Sequence, residues 1–163
     1  MANNDLYIAS PLGFSEVGNL FMKEKLFPLL DELGYEKIDP WTLSDAGEID
    51  AILGMEYGKE KKEKWQAMNK VIGKNNMDGI KRARGVIAVL DGVDVDSGTA
   101  SEIGFAAALG RPIVGYRGDF RLSADNEGSI VNLQVEYFIG LSGGKIVTRF
   151  DDLRSALLEI FPQ

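Results

Sequence analysis

The sequence predicts an α/β fold, namely a doubly wound, mostly parallel five-stranded sheet with helices on both faces, of the Rossmann or flavodoxin-like kind. Three observations predict it. Short apolar runs alternate with segments of helical periodicity. The run GVIAVLD is apolar throughout, as in a parallel strand that is buried on both faces. A chain of 163 residues with 45% hydrophobic residues has the size of one globular domain, so residues 1–163 are predicted to form a single domain.

The first half of the chain predicts two strands and two helices. LYIAS (6–10) is a short strand that ends at Pro11, and the apolar positions of residues 17–34 recur at helical spacing up to Gly34, which suits a helix C-cap. YEKIDPW (35–41) predicts the second strand. A polar insertion follows, and then a helix from about Lys59 to Arg84.

The second half continues the alternation. GVIAVLD (85–91) is the clearest strand, SEIGFAAALG (101–110) the clearest helix and RPIVGYR (111–117) the next strand. Residues 118–144 are rich in Asp, Asn, Ser and Gly, although 131–139 are apolar. KIVTRF (145–150) predicts the last strand, and DDLRSALLEIF (151–161) a terminal helix.

Composition narrows the function. The net charge of −7 argues against binding to nucleic acid or to an anionic membrane surface, and favours a small partner. The chain has no Cys and no His, so the usual zinc ligands are missing and we predict no metal site, and any catalysis must use carboxylates, Tyr, Lys, Ser or Thr. The N-terminus lacks a signal-peptide pattern and no apolar run reaches 18 residues, which predicts a cytoplasmic protein.

An acidic turn follows the clearest strand. The turn carries Asp94, Asp96 and Gly98, and Glu102 lies a few residues further on. Ligands of open α/β sheets bind beyond the carboxyl ends of the strands. The end of the first strand, at Tyr7 to Pro11, and the end of the third, at Asp91, are therefore expected to face one crevice.

Two interpretations of this turn stay open on spacing alone. Thr99-Ala-Ser-Glu102 fits a capping box, in which the hydroxyl and the glutamate satisfy N–H groups at a helix start. Alternatively, neighbouring carboxyl groups with different pKa values can divide nucleophilic and acidic roles, as in glycosyl transfer with retention.

Three blocks of sequence carry a family resemblance. YIASPLGFSE, DVDSGTASEIGFAAALGRPIV and DFRLSADNEGSIVNLQ together resemble the nucleoside 2-deoxyribosyltransferases. The resemblance implies that Glu102 attacks C1′ of a 2′-deoxyribonucleoside, and that a second base intercepts the deoxyribosyl ester. It implies nucleoside salvage without a cofactor, acting on deoxyribonucleosides and free nucleobases.

The resemblance also implies roles for other residues. Tyr7 orients Glu102 by its hydroxyl, Asp96 binds or protonates the departing base, and Phe14 stacks near that base. Asn132 reaches across a subunit interface to the neighbouring sugar, which predicts a homo-oligomer with shared active sites. Asp91 and Gly98 are also predicted to contribute to the substrate site.

Two positions depart from the family pattern. Asn76 stands where family members usually carry an acid, and an amide cannot give a base its proton; Asp78 lies two positions further on. Gln134 stands where a methionine often packs against the base. Both residues are predicted to bear on which bases are accepted.

Other functions compete with transfer. Gly98-Thr99-Ala-Ser-Glu102 also resembles the motif of phosphoribohydrolases that act on nucleoside monophosphates, although acids at the preceding turn would repel a phosphate. Hydrolysis by a related deoxynucleotide hydrolase is a second alternative. A receiver-like or nucleotide-sensing module with Asp91 as its charged residue is the third, but it needs further acids after the first strand, where the chain has Ala9-Ser10-Pro11.

Overall fold

A computed structural model of the chain describes residues 4–163 and contains one five-stranded sheet. Its strands are β1 (Asp5–Ala9), β2 (Glu36–Ile38), β3 (Gly85–Val89), β4 (Ile113–Tyr116) and β5 (Lys145–Val147). Their order is β2-β1-β3-β4-β5, and every pairing is parallel. The prediction of a doubly wound α/β fold is confirmed, and the sheet is parallel throughout rather than mostly so.

Seven α-helices connect these strands in the described part of the chain. They are α1 (Glu16–Phe21), α2 (Phe27–Glu32), α3 (Ala46–Leu53), α4 (Lys59–Arg82), α5 (Ser97–Ala108), α6 (Leu133–Leu141) and α7 (Phe150–Ile160). A π-helical segment, Met22–Leu26, joins α1 to α2, so that one helical rod spans residues 16–32. Gly34 follows this rod with φ 75°, as its predicted C-cap role requires.

The alternation of side chains along β1 builds two cores. Leu6 and Ile8 point to the face that is covered by α1, α2 and α7, whereas Tyr7 and Ala9 point to the face that is covered by α4, α5 and α6. This follows from the period of two along a strand. All four side chains are at most 1% exposed, which explains why the strand reads as a continuous apolar run.

The strand order places a crevice beside β1. The order in which the strands are added to the sheet reverses between β1 and β3, because β2 lies on one side of β1 whereas β3, β4 and β5 follow on the other. Ligands of such sheets bind at this switch point, outside the carboxyl ends of the strands. Tyr7 faces the α4 and α5 side of the crevice, and so α4 and α5 hold its potential partners.

One predicted helix begins earlier than expected, and one apolar run for which no element was predicted is mostly helical. Helix α5 begins at Ser97, four residues before the predicted start, because Asp96 caps it. The apolar run 131–139 belongs to helix α6, which buries Val135 and Ile139 against the core and exposes Tyr137. None of the helices between residues 4 and 163 combines the length and apolar character that crossing a membrane requires.

Candidate active site

A cavity of about 580 Å³ lies at the carboxyl ends of β1 and β2, against α4 and α5. Its walls are formed by the segments that follow β1 and β2, by one face of α4 between residues 65 and 76, and by the first turns of α5. The lining residues are Ser10, Phe14, Pro40, Trp41, Ser44, Ile49, Trp65, Asn69, Ile72, Asn76, Asp96, Ser97, Gly98, Thr99 and Glu102. Its volume is typical of a site for a small organic molecule.

Glu102 and Tyr7 form the central contact of this cavity. The Tyr7 hydroxyl donates a hydrogen bond of 2.6 Å to Glu102 Oε1, across 95 residues of sequence. A hydroxyl bonded to a carboxylate at this distance is a short, charge-assisted hydrogen bond. It fixes the carboxylate and leaves its second oxygen, Oε2, without a hydrogen bond to any of residues 4–163.

Asn76 approaches the same oxygen from α4. Its Nδ2 donates to Glu102 Oε1 at 3.4 Å, which is a long hydrogen bond. Its Oδ1 is buried and has no hydrogen-bond partner among the described residues. A buried acceptor without a donor is costly, so this atom is suited to receive a hydrogen bond from a ligand.

The environment raises the pKa of Glu102 to about 6. Burial is the main cause, because it disfavours the charged form, and the nearby Asp96 carboxylate acts in the same direction. The Tyr7 hydrogen bond opposes both. Burial and the adjacent Glu102 also raise the pKa of Tyr7, so the tyrosine stays neutral and remains a donor. Above pH 6 the pair is therefore an ionised carboxylate held by a phenol.

Asp96 caps helix α5. Its Oδ2 accepts a hydrogen bond of 2.9 Å from the backbone N–H of Thr99, and its side chain also lines the cavity. The capping-box interpretation of Thr99 and Glu102 is therefore wrong. Glu102 lies in the second turn of the helix, where its carboxylate bonds Tyr7 rather than a free backbone N–H, and burial rather than the helix dipole dominates its pKa.

Two aromatic side chains, Phe14 and Trp41, form part of the cavity wall. Phe14 packs edge-on against Trp41, with ring centroids 4.6 Å apart, and is itself 79% exposed. Gly13 lies directly beneath the indole, where a Cβ would stand 2.0 Å from the Trp41 ring. Asp39 holds the start of the turn that carries Trp41, because its Oδ1 accepts a hydrogen bond of 3.1 Å from the backbone N–H of Trp41. The wall depends on a glycine that lets backbone and ring meet.

The structure brings most of the predicted residues together. Glu102, Asp96, Asn76, Gly98 and Phe14 line the cavity. Tyr7 reaches it through Glu102.

Four predicted residues do not line the cavity. Asp78 pairs with Lys74 on the exposed side of α4, which lowers the pKa of Asp78, so Asn76 rather than Asp78 stands beside Glu102. Asp91 accepts a bond from the Asp119 backbone N–H and orders the loop after β4.

The other two residues lie at the start of α6. Asn132 is the N-cap of this helix and accepts bonds from the N–H groups of Gln134 and Val135. The Gln134 side chain is exposed.

Sequence reasoning predicted Asn76 but missed three other residues of α4 that form the same wall. Trp65, Asn69, Ile72 and Asn76 all line the cavity, and their spacing of four, three and four places them on one face of a helix. That spacing is the signal in the sequence that could have identified them. The facing Trp41 carried no such signal, because a turn has no regular period.

A comparison with known protein families found a match. The sequence pattern of the family described as "Nucleoside 2-deoxyribosyltransferase" matches residues 6–134. No curated protein sequence matches the chain significantly.

Three solved structures share the fold. A conserved protein from Enterococcus faecalis V583 has 22% identity and a TM-score of 0.70, over 97% of this chain and 99% of that chain. A 2-deoxyribosyltransferase from Bacillus psychrosaccharolyticus has 23% identity and a TM-score of 0.60, over 92% and 90%. A CMP N-glycosidase from Clostridium botulinum has 18% identity and a TM-score of 0.56, over 94% and 97%.

Proposed function

We propose that this chain, which belongs to the nucleoside 2-deoxyribosyltransferase family, transfers 2-deoxyribose from one nucleobase to another through an ester on Glu102. The observation that carries the proposal is that hydrogen bonds hold the Glu102 carboxylate through one of its two oxygens. Tyr7 and Asn76 both engage Oε1, and the free Oε2 belongs to a cavity-lining residue. A buried carboxylate with one restrained and one free oxygen is arranged as a nucleophile.

The first half-reaction forms the ester. Oε2 of Glu102 attacks C1′ as the bond from C1′ to the base nitrogen breaks, and the electron pair of that bond leaves with the base. Positive charge develops on the sugar ring in an oxocarbenium-like transition state, next to the carboxylates of Glu102 and Asp96. The base departs as an anion, or as a neutral species if it receives a proton.

Asp96 is the group in the cavity that is suited to hand over that proton. Asn76 contributes no proton, because an amide does not titrate, but its unpaired Oδ1 can accept a hydrogen bond from a sugar hydroxyl or from a base N–H. In this mechanism Asp96 transfers the proton and Asn76 positions the substrate.

The second half-reaction reverses the first. A nitrogen of the incoming base attacks C1′, the ester C–O bond breaks, and its electron pair returns to the Glu102 carboxylate. The incoming base loses one proton, which restores Asp96 when that residue has supplied one. Water in place of the second base would give hydrolysis, so exclusion of water from the ester decides between transfer and release.

The charges of the cavity favour nucleosides over nucleotides. Its described lining contains two carboxylates, Asp96 and Glu102, and neither Lys nor Arg. A 5′-phosphate would lie near like charges without a cationic partner, which is unfavourable in a half-buried site. This observation weighs against the nucleoside monophosphate hydrolase alternative.

A product analysis tests the proposal. The protein is incubated with deoxyinosine and cytosine, or with deoxyuridine and adenine, and the nucleosides and bases are separated. We expect the new deoxynucleoside to accumulate. Free base and deoxyribose without the new nucleoside would instead assign a hydrolase, and unchanged substrates with several donor and acceptor pairs would reject the function. Glu102→Ala is the control that removes the nucleophile, and it should lower the rate by several orders of magnitude.

Shared active sites are part of the proposed function. Leu133, Tyr137 and Leu141 on α6 are 49%, 61% and 62% exposed, beside Asn132 and Gln134. An apolar surface of this kind suits contact with a second subunit, which would bring Asn132 to a neighbouring sugar.

Subunit mixing tests this arrangement. Glu102→Ala and Asn132→Ala proteins are each expected to be inactive, and mixing them under conditions of subunit exchange should restore activity. A monomer by sedimentation at assay concentrations, or full activity of Asn132→Ala, would contradict shared sites.

A further inference from the structure

The cavity extends well beyond the reacting carboxylate. Asn76 contacts Glu102, whereas Trp65 lies eleven residues earlier on the same face of α4 and still lines the cavity. At 1.5 Å of rise per residue this separation is about 16 Å, or roughly three turns. That length exceeds the reach of a two-ring nucleobase from its glycosidic bond. We call the part lined by Trp65, Asn69 and Ile72 the distal slot.

Charge and polarity divide the cavity into two ends. The carboxylates of Glu102 and Asp96 lie at the reacting end, together with Asn76 Oδ1, the buried acceptor that has no hydrogen-bond partner among the described residues. The distal slot has an indole, an aliphatic side chain and a single amide, Asn69. Trp65 also borders a second hollow that three lysines line, but these lysines do not line the slot. The slot is therefore suited to a neutral group with apolar surface.

From this shape we infer that the enzyme accepts nucleobases that carry a bulky, neutral, apolar substituent on the edge remote from the sugar. The inference rests on the proposed function, because the reacting end must hold the deoxyribosyl group. A nucleobase bound there places its remote edge near Asn69, which can exchange hydrogen bonds with ring or exocyclic nitrogens. A substituent on that edge then enters the slot and packs against Trp65 and Ile72.

The substituent improves recognition for a physical reason. An unsubstituted base leaves the slot filled with water next to apolar side chains, and an apolar group that displaces this water gains affinity. An aromatic substituent also gains from packing against the Trp65 indole. Preference for the larger base should therefore appear in binding as well as in turnover.

A binding comparison tests the inference without catalysis. Both tryptophans of the chain, Trp41 and Trp65, line this cavity, so intrinsic fluorescence reports on its occupancy. Adenine and N6-benzyladenine are titrated separately into the wild-type protein. We expect N6-benzyladenine to bind at least about tenfold more tightly. Equal binding, or weaker binding of the benzylated base, overturns the inference.

Two variants of α4 locate the effect. Trp65→Ala removes the indole of the slot, and the ratio of the two dissociation constants, measured by calorimetry, should move about tenfold towards adenine. Val71→Ala is the matched control, because Val71 is on α4, is 47% exposed and does not line the cavity. It should leave the ratio unchanged within about twofold. A ratio that is the same in Trp65→Ala and wild type also overturns the inference.

Transfer assays separate this inference from the proposed function. With deoxyinosine as donor, the two bases are compared as acceptors by kcat/KM. Transfer to adenine without transfer to N6-benzyladenine leaves the proposed function standing and rejects the slot. Tight binding of N6-benzyladenine without transfer to any base keeps the slot and rejects the transferase.

Discussion

The raised pKa of Glu102 predicts that its ionised side chain destabilises the fold above about pH 6. Glu102→Gln replaces the carboxyl group with a neutral group of nearly the same shape, whose carbonyl oxygen can still accept the Tyr7 bond. Burial raises the pKa of Glu102 from 4.5 to about 6. A group whose folded-state pKa is raised contributes stability below its unfolded pKa and loses it as the pH rises through its folded pKa. The loss therefore falls between pH 4.5 and 6.

The magnitude follows from the shift. A shift of about 1.5 pH units at 1.36 kcal/mol per unit is about 2 kcal/mol. Near pH 4 the glutamate is protonated in both states, so Glu102→Gln should match the wild type. At pH 8 the variant should be more stable by about 2 kcal/mol. Activity and stability would then be in direct opposition at this residue.

Urea unfolding at pH 4 and pH 8 measures this difference. Glu56→Gln is the matched control, because Glu56 is exposed and lies outside the cavity; it should have the same small effect at both pH values. The reasoning is refuted if Glu102→Gln stabilises equally at both pH values, or if it destabilises the protein at pH 8.

Three further predictions concern the same cavity. Tyr7→Phe removes the hydrogen bond that lowers the pKa of Glu102, so the acid limb of kcat/KM should move above pH 6 and activity at pH 6 should fall roughly tenfold or more; an unmoved limb contradicts this. Asn76→Asp places a second carboxylate beside Glu102, which should also move the acid limb to higher pH; an unchanged profile contradicts this. Gly13→Ala should displace Trp41 and cost about 1–3 kcal/mol of stability, whereas Gly73→Ala, whose added Cβ meets nothing beyond its own helix within 4 Å, should be neutral or stabilising; equal effects in thermal unfolding would reject the contact.

Strands β1, β3 and β4 were predictable because each is buried on both faces. Val86 and Ala88 pack on one side of β3 while Ile87 and Val89 pack on the other, so the strand reads as an unbroken apolar run. The helix starts were harder to predict. Both Asp96 and Thr99 are good capping residues, and a local pattern cannot rank them. A contact distant in sequence decides it, since Glu102 turns to Tyr7 instead of back to the helix start.

The residues around the reacting carboxylate were also easier to predict from the sequence than the residues that form the cavity walls. Glu102, Asp96 and Tyr7 were predicted from the motif blocks and Asn76 from its departure from the family pattern, and the structure brings all four together. Trp41 was not predicted, because its placement depends on how a turn after β2 meets Gly13, with no sequence period to mark it.

The most direct test of the account is to trap the sugar on the protein. The enzyme is incubated with a deoxyribonucleoside donor and no acceptor base, quenched in acid, digested and mapped by mass spectrometry. The account predicts one added deoxyribosyl mass on the peptide that contains Glu102, with none in Glu102→Gln. A deoxyribosyl mass on a different residue, or transfer that survives in Glu102→Gln, would contradict it.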